Sequence, residues 1–240
     1  MEKRLTGIGL MSGTSLDGLD IACCEFNFRY EKINFILHCA ETLSYTEEWR
    51  QRLSTSMNTS GRDLMQLNHD FGVFCGKATD QFLKKHSLRV DFISSHGHTV
   101  FHQPQDGFST QIGSGAVIFA QTGITTVCDF RSIDVALGGQ GAPLVPIGDK
   151  FLFPDFEACL NIGGIANISF QKKNQRVAFD ICAANIVLNE LAAELGLKMD
   201  RGGELARNGR LISALLEELN ADAYYEKSEK KSLEIGRAHV

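Results

Sequence analysis

Met11-Ser-Gly-Thr-Ser-Leu-Asp17-Gly-Leu-Asp20 lies between the apolar runs 8–10 and 21–24. The two runs read as strands joined by a turn of small residues, hydroxyls and carboxylates. Gly13 and Gly18 allow the chain to bend sharply and a ligand to come close. Thr14 and Ser15 supply hydroxyl and amide donors, and Asp17 and Asp20 are suited to Mg²⁺, directly or through water. Donors beside metal-binding carboxylates are what a nucleotide phosphate needs. The same composition also describes a hairpin turn with no ligand.

The first half continues as strands and helices around one sheet. Residues 33–37 form a third apolar run. Leu64, Leu67, Phe71, Phe74, Ala78 and Phe82 recur at helical spacing, predicting an amphipathic helix over 62–86. Residues 91–95 read as a short buried strand, 116–121 as a short helix stopped by Gly123, and 124–128 as another strand. This order predicts an α/β domain with a mixed sheet and flanking helices. A Gly- and Pro-rich passage, Gly138-Gly-Gln-Gly-Ala-Pro143, follows where a boundary belongs, dividing the chain into domains at 1–145 and 146–233. The opening pattern then recurs, with strands at 158–162 and 165–170 around the Gly163-Gly164 turn. A strand at 177–180 ends in a carboxylate, and a helix over 185–195 is closed by Gly196. A last helical pattern covers 210–220. Two strand–glycine–strand units predict two domains of related design, each pointing its turn into a shared cleft. About 90 residues are left for the second domain, and residues 234–240 read as translated sequencing-adapter sequence. A truncated reading frame is therefore expected.

Composition excludes several classes. The net charge of −5 opposes a general nucleic-acid binder. No apolar run reaches the roughly 18 residues of a membrane span, and the N-terminus lacks a signal-peptide pattern. The seven cysteines form no C-x-x-C pair and sit mostly in apolar segments, which fits a reducing cytoplasm. Walker A, Rossmann and nucleophile-elbow motifs are all missing.

Three side-chain groups carry candidate chemistry. Asp180, at a strand end beside a cleft, is placed first of all to accept a proton; capping the following helix is the alternative, and the two roles can coexist. Arg131, in Asp129-Phe-Arg131, offers a planar fork for a sugar hydroxyl, a carboxylate or a phosphate, or a salt bridge with Asp129 or Asp134. His96 and His98 share a strand face. They suit a zinc site, a polar cleft wall or plain strand positions.

Together these motifs resemble the anhydro-N-acetylmuramic acid kinase family of the actin/hexokinase-like superfamily. The resemblance rests on Gly9-x-Met11-Ser-Gly-Thr-Ser-x-Asp17-Gly-x-Asp20, Ser95-His-Gly-His-Thr99, Asp129-Phe-Arg131, Gly138-Gly-Gln-Gly-Ala-Pro-Leu144 and Asn161-Ile-Gly-Gly-Ile-Ala-Asn167. It implies an actin-like (ribonuclease H-like) ATPase fold with an incomplete second domain. It also implies a cytoplasmic kinase of cell-wall recycling that uses ATP and Mg²⁺. Such an enzyme opens 1,6-anhydro-N-acetylmuramic acid with water and phosphorylates O6. By the same resemblance, Asp180 is the base, and Gly13, Thr14, Ser15, Leu16, Asp17, Gly18, Leu19 and Asp20 bind ATP with Gly163, Gly164 and Asn167. Asp17 and Asp20 hold Mg²⁺, Arg131 and His98 bind the sugar, and the full-length protein pairs as a homodimer. The family's Thr-Gly-Pro-Gly-Asn after the aspartate is here Ile181-Cys-Ala-Ala-Asn185. That departure leaves a kinase for another anhydrosugar, such as levoglucosan, or a sugar-binding sensor as alternatives. The 240 residues alone are expected to be nearly inactive.

Overall fold

Strand β1 (Glu2–Ser12) is the centre of the first sheet. It runs antiparallel to β2 (Gly18–Arg29) on one edge and parallel to β4 (Phe92–Gln103) on the other. The computed structural model describes residues 2–226 except Thr14, Glu31 and Asn174. The expectation for 234–240 lies outside the described residues. So does the ligand role expected of Thr14.

The chain divides into two compact units between Leu144 and Val145. In the first, β3 (Lys32–Ser44) extends the sheet beyond β2, giving the order β3-β2-β1-β4-β5 with β5 at Phe108–Ile112. β1 occupies one edge of β4, so β5 and β6 (Thr126–Cys128) share the other. β6 runs parallel to Ile93–Ser95, and β5 runs antiparallel to His98–Gln103. The sheet forks between them, at Gly97. There φ is +73°, and an added Cβ would lie 2.5 Å from the Ile112 carbonyl, so only glycine fits. The register with β1 shifts at the same place.

Helix α1 (Glu47–Ser54) is capped by Thr46, and α2 (Gly61–Lys85) by Ser60, whose Oγ accepts the Asp63 N–H. Leu67, Phe71, Cys75, Ala78 and Phe82 form the buried stripe of α2. They meet Ile8, Leu10, Leu19, Ile21, Ile93 and Val100 of the sheet. α3 (Gly115–Thr122) crosses α2 closely because Gly72 and Gly76 leave room for Val117 and Gln121. α4 (Ser132–Ala136) follows β6.

The second unit begins with α5 (Val145–Leu152) and the antiparallel meander β7 (Ala158–Ile162), β8 (Ile165–Lys172), β9 (Gln175–Ala183). α6 (Asn185–Glu194) ends in a Schellman closure, with Leu197 N–H on the Ala192 carbonyl, Gly196 N–H on Ala193, and Gly196 at φ +74°. Short helices α7 (Glu204–Asn208), α8 (Ser213–Asn220) and α9 (Ala223–Glu226) complete the described chain. No described helix is long and apolar enough to cross a membrane.

Several boundaries differ from expectation. β4 extends eight residues past Ser95 because the strand continues through the bulge. β5, α1, α4 and α5 were not anticipated. β9 continues to Ala183, so Asp180 lies within the strand rather than at its end, and Ala184 takes the N-cap position of α6. Asp180 is therefore not the cap of that helix.

Candidate functional site

The β1–β2 turn keeps the two glycines apart in role. A Cβ on Gly18 would sit 2.4 Å from the Leu43 carbonyl, so Gly18 serves the approach of β3. A Cβ on Gly13 would meet nothing nearer than Ser15 Oγ at 3.7 Å, and its φ lies outside the left-handed region. The fold leaves Gly13 open. Leu16 takes a left-handed φ of +56°, and its N–H donates to the Gly13 carbonyl. Leu19 is a core residue at 1% exposure, whereas Ser15, Asp17 and Asp20 are exposed. Asp20 Oδ1 accepts the Thr42 hydroxyl at 2.5 Å. The turn is anchored from below by a buried polar relay. Tyr45 Oη donates to Ser12 Oγ (2.7 Å), which lies 3.0 Å from His98 Nδ1. Burial pushes the Tyr45 phenol well above its ordinary value, so it keeps its proton.

Among the described residues no three His, Cys, Asp or Glu side chains cluster to hold a metal. Mg²⁺ at Asp17 and Asp20 does not need such a cluster, because Mg²⁺ commonly takes one or two carboxylates and completes its shell with water and phosphate.

His96 and His98 do not share a face, since the Gly97 bulge resets the alternation. His98 is 1% exposed and packs edge-on to Phe71, while His96 meets Arg131. Arg131 donates to His96 Nε2 from Nη2 (2.9 Å) and Nε (3.2 Å), and from Nη1 to the Gly141 carbonyl (2.6 Å). An arginine only donates, so His96 Nε2 must be the bare nitrogen, and its Nδ1–H donates to the Gly97 carbonyl at 2.9 Å. Burial, aided by the Arg131 charge and opposed by the Gly97 contact, holds the His96 imidazole below its ordinary value. The alternative salt bridge of Arg131 with Asp129 or Asp134 is not formed among the described residues. Asp134 accepts the Gly141 N–H, and Asp129 accepts the Ser132 N–H. The glycine-rich passage folds over Arg131 and supplies a carbonyl in their place.

At the fork lies a cavity of about 260 Å³, lined by Ser95, His96, Gln111, the start of α3 and Asp129, among others. Ser95 Oγ and Gln111 Oε1 are buried there with no hydrogen-bond partner among the described residues. Sequence reasoning gives neither a role. Ser95 stands inside a quoted motif, but nothing local marks Gln111 beyond the flanking Gly107 and Gly113.

In the second unit Asn161, Asn167 and Asp180 are mutual partners across β7, β8 and β9, which puts them in one row on one sheet face. Gly163 and Gly164 form the adjoining turn, and a Cβ on either would find nothing nearer than 3.7 Å. Their carbonyls accept the N–H groups of Asn185 and Ala184 at 3.1 and 2.8 Å. These backbone bonds hold the start of α6 against the turn, so the Ile181–Asn185 departure keeps that anchorage without glycines. Tyr224 Oη donates to the Asp180 carbonyl at 2.7 Å, and burial, then the Asp180 charge, pushes its phenol up to about 12.

A mixed sheet with flanking helices, a glycine-bent hairpin and a second glycine hairpin beside a carboxylate define a protein of the actin-like α/β class. The family model described as anhydro-N-acetylmuramic acid kinase matches residues 5–239. Proteins of that description from Mannheimia succiniciproducens, Pasteurella multocida and Sulfurimonas denitrificans are 38%, 37% and 34% identical to this chain. The matches cover 94%, 96% and 94% of the chain and 62%, 64% and 63% of those relatives. The chain belongs to the anhydro-N-acetylmuramic acid kinase family, and it spans less than two thirds of the length of these curated relatives.

Proposed function

We propose that the whole protein is an ATP-dependent kinase that opens 1,6-anhydro-N-acetylmuramic acid with water and phosphorylates O6, yielding N-acetylmuramic acid 6-phosphate. In this reading Asp180 takes a proton from water, the resulting oxygen attacks the anomeric carbon, and the bond from that carbon to O6 breaks. O6 accepts the γ-phosphoryl group and ADP departs. Gly13, Ser15, Leu16 and Gly18 present backbone and hydroxyl groups to the phosphates, Thr14 is assigned the same role, and Leu19 serves as framework at the start of β2. Gly163, Gly164 and Asn167 of the second hairpin take a further part in holding ATP. Asp17 and Asp20 would hold Mg²⁺, which when bound offsets phosphate charge. Arg131, oriented by His96, faces the sugar, and His98 supports that wall through Ser12. A cytoplasmic, homodimeric enzyme of cell-wall recycling completes the proposal.

The observation that carries it is the row Asn161–Asn167–Asp180 beside a turn whose two glycines have no steric reason among the described residues. Open space at both glycines is compatible with a ligand coming close to the backbone. A coupled ADP-release assay on a chain of the relatives' full length tests the reading. Sugar-dependent ADP supports it; sugar binding without turnover replaces the kinase with a sensor. Preference for levoglucosan moves the substrate to a neutral anhydrosugar.

A further inference from the structure

We infer that Tyr45 is a positioning residue for the ATP phosphates: it bonds both arms of the first hairpin turn, Ser12 on one side and Asp17 on the other, and so sets the opening of the loop between them. This assignment rests on the kinase reading and adds to it a residue that lies outside the turn's own sequence.

Tyr45 follows β3 directly. Its N–H donates to the Asp17 carbonyl at 3.3 Å, one step beyond the last β2–β3 pair, Gly18 with Ser44. Its Oη donates to Ser12 Oγ at 2.7 Å. Ser12 is the last residue of β1 and Asp17 immediately precedes β2, so one residue joins the two ends of the loop. Among the described residues the loop has a single bond of its own, from the Leu16 N–H to the Gly13 carbonyl, and it is long at 3.4 Å. The spacing of the arms is therefore set from outside. Tyr45 can set it because it is held firmly. Its side chain is buried against Phe71 and Phe74, and the next residue, Thr46, caps α1. His98 Nδ1, 3.0 Å from Ser12 Oγ, ties the same arm to β4.

The direction of these bonds matters for an anion. Tyr45 donates twice, and Thr42, near the end of β3, donates to Asp20 Oδ1. All three bonds fall on acceptors of the hairpin. The N–H groups of Ser15 and Asp17 have no partner among the described residues, so they stay available to phosphate oxygens, which only accept. A support that accepted from the turn would consume the donors an anion needs. Spreading the arms would turn those donors away from a common point, and binding would weaken.

The test uses a chain of the relatives' full length, titrated at equilibrium with ATP and Mg²⁺ and, separately, with 1,6-anhydro-N-acetylmuramic acid. Tyr45→Phe removes one of the two grips and keeps the ring. ATP should bind about three- to tenfold more weakly, the size of one ordinary hydrogen bond. Sugar affinity should stay unchanged, because Ser12 keeps its contact with His98. Where ADP is released, the KM for ATP should rise by the same factor with kcat retained. Thr79→Val deletes another buried hydroxyl of this core, bonded to the Cys75 carbonyl, and should leave ATP affinity alone. It controls for a general loss of stability. Tyr45→Phe added to Ser12→Ala should weaken ATP binding no further, since the bond is already gone. ATP affinity in folded Tyr45→Phe within about twofold of wild type, an equal loss in Thr79→Val, or full additivity with Ser12→Ala overturns the inference. A protein that binds ATP but releases no ADP with sugar rejects the kinase, and weaker ATP binding by Tyr45→Phe then still upholds the clamp. Sugar-dependent release with unaltered ATP affinity in Tyr45→Phe does the reverse. A wild-type chain that binds no ATP overturns both.

Discussion

Asn167 stands directly opposite Asp180 across β8 and β9, one step from the bulge that leaves Ile181 without a cross-strand partner. Paired positions share a sheet face, so the amide and the carboxylate are presented together. The bulge bends the strand beside them, as bulges near functional sites commonly do.

That placement bears on the proton-acceptor role. In a chain of the relatives' full length, Asp180→Asn keeps the side chain's shape and removes its basicity. Sugar binding should persist while turnover falls by roughly 10²–10⁴-fold, the usual contribution of a positioned base. Equilibrium titration and ADP release, measured on one preparation, check both halves. Turnover near wild type would remove Asp180 from the chemistry.

The two glycines of the first turn make opposite predictions. Gly13→Ala has open space and an ordinary φ, so thermal unfolding should shift little while nucleotide affinity falls. Gly18→Ala forces a methyl group to within 2.4 Å of the Leu43 carbonyl, and should destabilise the fold before any ligand is added. Melting curves with and without ATP separate the two effects.

His96 gives the first unit a pH dependence whose sign follows from its depressed imidazole. The unfolded chain takes up a proton near the ordinary value of 6.5, while the folded imidazole stays neutral to lower pH. Stability therefore falls as pH drops below about 7 and levels off once the folded group also protonates. His102 is shifted the same way, by burial and then by Arg131. Urea midpoints should decline between pH 7.5 and 5.5, and His96→Gln should flatten that decline. An unchanged slope in the variant would place the dependence elsewhere.

Much of this architecture is written locally. The stripe Leu67, Phe71, Ala78, Phe82 predicts α2 almost to its ends, and Gly196 stops α6 as its position implies. The family motifs likewise mark both hairpins. What the sequence hides is non-local. Asp129 and Asp134 look like partners for Arg131 because they are close in the chain, yet the guanidinium reaches His96, 35 residues away. The positive φ of Gly97 breaks the alternation that would put two histidines together, and no periodicity rule anticipates it. β5 is five residues long and reads as loop until β4 pairs with it. The cavity at the fork, with Ser95 and Gln111, exists only once those strands part.

The relay under the first hairpin offers a graded test of the core. Tyr45 contributes a ring and a hydroxyl, and the two can be removed separately. Tyr45→Phe keeps the ring contacts with Phe71 and Phe74 (centroids 6.2 and 5.8 Å apart) and deletes only the bond to Ser12. Ser12 Oγ retains His98 Nδ1, so no buried group is stranded, and the cost should be about 0.5–1.5 kcal/mol. Phe71→Ala instead opens a void where Trp49, Phe74, Tyr45 and His98 converge, and should cost about 3–5 kcal/mol. Denaturant unfolding of both variants measures the difference. A larger loss from Tyr45→Phe than from Phe71→Ala would mean that the polar relay, rather than the aromatic packing, holds the hairpin to the sheet.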